Sequence, residues 1–197
     1  MPWIGTFHSI CVKILRKHAR AAELNYNFTI VDQDDQKKLI KNICKSENID
    51  TKKLAPNYIL SVINGWKNKG LYPDKVEPSK KNIFEKGILK IYKVYQGKLL
   101  DLNVCDFGDL ILHCVSIFEN NKDILEIYSN NFKYVLVDEY QDTNFIQSKW
   151  LNLLASKHNN ICCVGDDDQS IYSWRGAEIK NFLEFDKVYK KTKIIRL

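Results

Sequence analysis

Apolar residues recur at helical spacing up to about residue 130, and in short β-branched runs beyond it. Phe7, Ile10, Cys11, Ile14, Leu15 and His18 fall at i, i+3, i+4, i+7, i+8 and i+11, one face of a helix with Thr6 or Ser9 near its cap. Residues 28–31 read as a short strand. Asp32 then caps a helix reaching about residue 46, with acids first and lysines later, as the helix dipole prefers. Residues 56–66 predict another helix ending near Gly70, and 79–100 a longer one despite Gly87 and Gly97. Asp106 starts a helix with Phe107, Leu110, Ile111, Cys114, Val115 and Phe118 on one face, and 124–128 adds a turn or two.

From Lys133 the pattern changes to strand 134–138, helix 143–156, strand 161–165, helix 177–185 and strand 192–197. The runs 135–137 and 161–164 are apolar on both faces, as parallel strands covered by helices on both sides would be. Cys162 and Cys163 are expected to be buried there. Each run ends in carboxylates, Asp138-Glu139 after the first and Asp166-Asp167-Asp168 after the second. The C-terminal edge of such strands is where open α/β sheets bind ligands. An Asp-Glu pair at that edge suits nucleotide hydrolysis, with one carboxylate for Mg²⁺ and one for the attacking water. The plainer alternative is an acid pair at a helix N-terminus. A two-metal nuclease built from all five acids fits poorly, because three adjacent acids point in different directions.

Composition narrows the class further. Of 197 residues, 45% are hydrophobic, and only eight Gly and four Pro are present, so an ordered core is expected. The net charge of +6, nearly all from lysine, is compatible with a polyanion partner gripped through its phosphates. The six cysteines form no CxxC pair and read as apolar fillers in a reducing cytoplasm, and the four histidines offer no zinc spacing. No signal peptide or membrane-spanning stretch is visible, which predicts a cytoplasmic protein with no membrane partner.

Asp138-Glu139-x-Gln141-Asp142 and Val164-Gly165-Asp166-x-Asp168-Gln169-Ser170-Ile171-Tyr172-x-Trp174-Arg175-Gly176-Ala177 resemble the Walker B element and the next motif of the UvrD/Rep/PcrA-like superfamily 1 DNA helicases. Gly5-Thr6-Phe7-His8-Ser9, Gly70-Leu71-Tyr72-Pro73 and Asp106-Phe107-x-Asp109-Leu110 extend the resemblance over essentially the whole chain, in the family's order. The fold it implies is α/β: an incomplete RecA-like P-loop NTPase domain with a parallel sheet, carrying a large all-helical insertion. Residues 1–24 would be an N-terminal remnant of that domain, 25–130 the insertion, and 131–197 the remainder.

The resemblance also implies roles. Asp138 would ligate Mg²⁺ and Glu139 would be the general base. Gln169 would sense the γ-phosphate of ATP, while Gln141 and Asp142 would link Walker B to neighbouring motifs. Trp174 would stack on a base of single-stranded DNA, with Tyr172 packing beside it or touching the strand, and Arg175 contacting DNA or tying the loop to a carboxylate. Thr6, His8 and Ser9 would meet the strand's backbone and bases, and Phe7 suits the core better. Lys67 and Lys69 would face duplex DNA at a single/double-strand junction, or form an ordinary solvated charge run.

The family's phosphate loop, G-x-x-x-x-G-K-S/T, is not found. Gly65 and Gly70 have the spacing, but Leu71 and Tyr72 follow where Lys and Ser/Thr are required. The expected function is therefore that of a fragment of an ATP-dependent 3′-to-5′ DNA helicase, inactive alone. The alternative is a non-catalytic module that binds single-stranded DNA or a partner, such as a separate chain supplying the Walker A segment. Without the strand that precedes the phosphate loop, the two predicted strands would expose apolar surface, which predicts marginal stability or aggregation.

Overall fold

The computed structural model describes residues 3–52, 54–79, 84–172, 176–190 and 192–196. The chain divides into two compact units, residues 1–116 and 117–197.

In the first unit Thr6 caps α1 (Phe7–His18), accepting a hydrogen bond from the Ser9 N–H. Cys11, Ile14 and Leu15 of the predicted stripe are fully buried, while Phe7, Ile10 and His18 are half-buried. The strand β1 (Thr29–Ile30) is followed by α2 (Gln33–Ser46), whose Asp32 cap accepts from the Asp35 N–H at 2.9 Å. Then come α3 (Pro56–Asn68), α4 (Glu85–Asp101), the strand β2 (Val104–Cys105) and α5 (Phe107–Asn120), of which residues 117–120 belong to the second unit. Ile40, Ile43, Ile59, Ile63, Trp66, Ile88, Tyr92 and Leu99 interlock α2, α3 and α4 into one core. The strands β1 and β2 pair in parallel, with Thr29 opposite Val104 and Ile30 opposite Cys105.

Two features depart from the pattern-based reading of this unit. The strand β1 falls in the 28–31 run expected to form one, but its partner β2 lies in a stretch expected to be helical. The long helix starts at Glu85 rather than Ser79, because the Glu85 carboxylate accepts from the Ser79 backbone N–H at 2.6 Å and holds it outside the helix.

The second unit contains α6 (Lys122–Asn131), β3 (Val135–Val137), α7 (Phe145–Ala155), β4 (Ile161–Cys163), and the short helices α8 (Ile179–Leu183) and α9 (Phe185–Val188). A capping box starts α7: the Gln147 N–H donates to Asn144 Oδ1 at 3.0 Å, and the Asn144 N–H donates to Gln147 Oε1 at 2.9 Å. The strands β3 and β4 are parallel, with Leu136 opposite Cys162.

Three expectations are corrected here. Among the described residues the sheet is covered on one face only: Val135 and Val137 are buried, but Leu136 is 80% exposed and Cys162 is exposed. The helix at 177–185 is two pieces broken at Glu184. Residues 192–196 form no strand, with Ile194 and Ile195 exposed; β-branched composition makes a strand only where there is an edge to pair with. Among the described residues, no helix is long and apolar enough to cross a membrane.

Candidate nucleotide-site loops and a buried ion cluster

The turn after β3 is locked before it reaches any ligand. Asp138 Oδ1 accepts from the Glu139 N–H at 3.0 Å, and Glu139 takes a left-handed backbone with φ of 51°. That conformation costs a non-glycine residue roughly 1–2 kcal/mol, so the surroundings must enforce it. They do so through Tyr140, whose N–H donates to the Val164 carbonyl at 3.0 Å and whose ring is buried. The result leaves both carboxylates, Asp138 and Glu139, exposed at the C-terminal end of β3.

Gln141 joins this turn to the one after β4. It is 1% exposed; its Nε2 donates to Glu139 Oε2 at 2.7 Å, and its Oε1 accepts from the Asp166 N–H at 3.2 Å. A Cβ on Gly165 would lie 2.5 Å from Gln141 Oε1 and 2.9 Å from the Phe182 ring, so the close approach of the two loops requires glycine there. Asp166 caps the short turn Asp167–Gln169: Oδ1 accepts from the Asp168 N–H at 3.0 Å and Oδ2 from Gln169 Nε2 at 2.7 Å. Asp142 Oδ1 is buried without a hydrogen-bond partner.

Asp138, Glu139, Gln141 and Gln169 are thus gathered at one sheet edge. Tyr172 is half-buried, its carbonyl accepting from the Ala177 N–H at 3.3 Å. The Trp174 and Arg175 expectations lie outside the described residues. In the first unit, the Thr6 and Ser9 hydroxyls serve the cap of α1, Ser9 Oγ donating to the Thr6 carbonyl at 2.9 Å. His8 packs its ring edge-on to Phe107 at 5.6 Å, and burial pushes its pKa below the ordinary imidazole value. Phe107, expected on the buried face of α5, is 53% exposed.

Lys67 overturns both sequence-based readings of it. It is fully buried, with Nζ 2.6 Å from Asp106 Oδ2 and 2.7 Å from Asp109 Oδ1. Tyr95 donates its hydroxyl to Asp106 at 3.0 Å, and Gln96 donates to Asp109 at 2.9 Å. Burial alone would lower the pKa of the ammonium, but the two carboxylates outweigh it and hold the value above the ordinary one. With one cation for two acids, the carboxyls separate. Burial and Asp109 raise Asp106, whereas the donors around Asp109 outweigh burial and keep it low. One turn further along α5, His113 Nδ1 shares a 2.6 Å hydrogen bond with the Tyr72 hydroxyl. That bond, with the Tyr92 hydroxyl donating to the Leu71 carbonyl at 3.0 Å, anchors the Gly70–Pro73 turn. The signal was present in the sequence: Lys67 continues the stripe Ile59, Ile63, Trp66 along α3, and Asp106-x-x-Asp109 is a reciprocal cap.

The family described as UvrD/REP helicase N-terminal domain matches residues 1–190. The chain is 49% identical over 197 residues to a probable DNA helicase II homolog of Rickettsia felis, covering 98% of this chain and 30% of the relative. It is 49% identical over 198 residues to a DNA helicase II of Rickettsia typhi, with 98% and 30% covered. An ATP-dependent DNA helicase PcrA of Staphylococcus epidermidis is 44% identical over 195 residues, with 99% of this chain and 27% of the relative covered. The chain thus spans less than a third of the length of these curated relatives.

Proposed function

The chain belongs to the UvrD/REP helicase N-terminal domain family, and from that membership and the strand-end geometry we propose that it supplies the magnesium- and water-handling side of an ATP-dependent, 3′-to-5′ DNA helicase. In this reading residues 1–24 and 131–197 belong to a RecA-like domain, and 25–130 are its helical insertion. The observation that carries it is the pair Asp138 and Glu139, exposed at the end of β3 and bridged by Gln141 to the turn that bears Gln169.

The donor set suits Mg²⁺ arriving with a nucleotide. Among the described residues no group of three or more His, Cys, Asp or Glu is arranged to hold a metal alone. Mg²⁺ takes one or two carboxylates and fills its remaining positions with water and substrate phosphates. Asp138 would be its protein ligand, and bound Mg²⁺ would neutralise charge on the transferring phosphoryl group. Glu139 would orient and deprotonate the attacking water, with its carboxylate aimed by the Gln141 amide. Gln169 would read the γ-phosphate. Thr6, His8, Ser9, Tyr172, Trp174 and Arg175 would line the path of single-stranded DNA, with a single/double-strand junction as the substrate.

The test is single-strand-DNA-stimulated ATP hydrolysis by the purified chain. Glu139→Gln is expected to lower any rate by roughly 10²- to 10⁴-fold, the usual contribution of a positioned base. Hydrolysis untouched by that change would remove Glu139 from its role. A folded chain that binds single-stranded DNA and hydrolyses nothing would leave a non-catalytic binding module.

A further inference from the structure

Glu139 and Gln169 are joined by three hydrogen bonds that pass through two residues. Gln141 Nε2 donates to Glu139 Oε2 at 2.7 Å, the Asp166 N–H donates to Gln141 Oε1 at 3.2 Å, and Gln169 Nε2 donates to Asp166 Oδ2 at 2.7 Å. Gln141 has no access to water with which to replace either partner. Its planar amide therefore fixes the distance between the Glu139 carboxylate and the backbone of Asp166. A buried amide left unpaired at either end is disfavoured, which keeps both contacts in place together.

At the far end the constraint is of another kind. Gln169 is exposed and free to rotate, yet its amide lies on a carboxylate, and hydrogen bonds to charged acceptors are about twice as strong as neutral ones. Asp166 uses its second oxygen to cap the same turn, so the acceptor is itself held. The Gln169 amide is therefore already engaged before any anion arrives.

We propose that Asp166 is a positioning residue that parks the Gln169 amide, and that Gln141 ties this parked arrangement to Glu139, so that the two side chains shift together. What the shift accomplishes rests on the ATP-hydrolysing reading. An incoming phosphate oxygen must take the Gln169 amide from Asp166, and the resulting change at Asp166 reaches the Glu139 carboxylate through Gln141. The relay itself rests on the hydrogen bonds alone.

The side-chain amide signals of Gln141 and Gln169, followed by NMR in the isotope-labelled chain, test it without any hydrolysis. Asp166→Ala should move the Gln169 amide signals to free-glutamine positions and speed their exchange with water roughly fivefold. Asp166→Asn, which retains an acceptor oxygen, should restore them. Glu139→Gln should shift the Gln141 amide signals directly and those of Gln169 through them. Gln169→Ala, a change in an exposed turn that leaves the fold intact, should shift the Asp166 N–H and the Gln141 amide. A Gln169 amide at free-glutamine positions in the unaltered chain, or one unmoved by Asp166→Ala, overturns the parking. A response to Asp166→Ala without one to Glu139→Gln overturns the tie. Because none of these signals requires ATP turnover, failure of the hydrolysis assay and failure of the relay are separate results.

Discussion

Removing the ammonium of Lys67 would strand the carboxylates of Asp106 and Asp109 where water does not reach them. Breaking a buried ion pair from one side typically costs about 3–5 kcal/mol, because the remaining charge is left uncompensated. Lys67→Met should therefore lower the urea midpoint of the first unit steeply. Lys67→Met combined with Asp106→Asn and Asp109→Asn should recover part of the loss, and no recovery would show that the cluster is not the source of the effect. Gly165 makes a second, smaller constraint by shape alone. Gly165→Ala would drive a methyl group into Gln141 Oε1 and the Phe182 ring, at an expected cost of about 1–3 kcal/mol in chemical denaturation. The two residues were unequally legible. Gly165 stands in a motif whose acids announced a strand end. The stripe of α3 marks Lys67 as buried, but its partners are acids some 40 residues away, a separation that local patterning does not span.

At the scale of the helix, α5 shows how burial becomes a dependence on pH. Residues 110–115 are buried all round, so His113 sits inside rather than on a solvated face. Burial pushes its pKa below the ordinary 6.5, against the pull of Asp109. Between the lowered value and 6.5, the unfolded chain binds a proton at this position that the folded chain does not, so stability falls as pH falls and is fully present above 6.5. His8, lowered by burial as well, acts in the same direction. The urea midpoint should therefore drop between about pH 7 and about pH 5.5, the range in which a free imidazole titrates. His113→Asn should flatten that drop, and an unchanged slope would assign it elsewhere. Elements with a local cause were legible: the Thr6, Asp32 and Asn144 caps place α1, α2 and α7 where the periodicity does. The late start of α4 and the break between α8 and α9 depend on a reaching Glu85 carboxylate and on packing, neither of which has a period.

At the scale of the molecule, the sheet of the second unit has one finished face and one open face. Leu136 and Cys162 are register partners, and Tyr134 and Val164 lie two residues along the same face, all of them exposed. Sequence patterning gave both faces as apolar, which is what a strand with cover on each side requires, and only the pairing reveals that one cover is not formed by the described residues. An apolar strand face with two short strands behind it is a template for association with other chains. Because Leu136 is 80% exposed, changing it removes little that the fold depends on. Leu136→Ser should leave the thermal midpoint nearly unchanged, since exposed substitutions are usually worth within about 0.5 kcal/mol. It should instead raise the protein concentration at which light scattering begins to climb. A fall in the thermal midpoint with no change in scattering would mean that the face is covered in solution and that Leu136 belongs to the core.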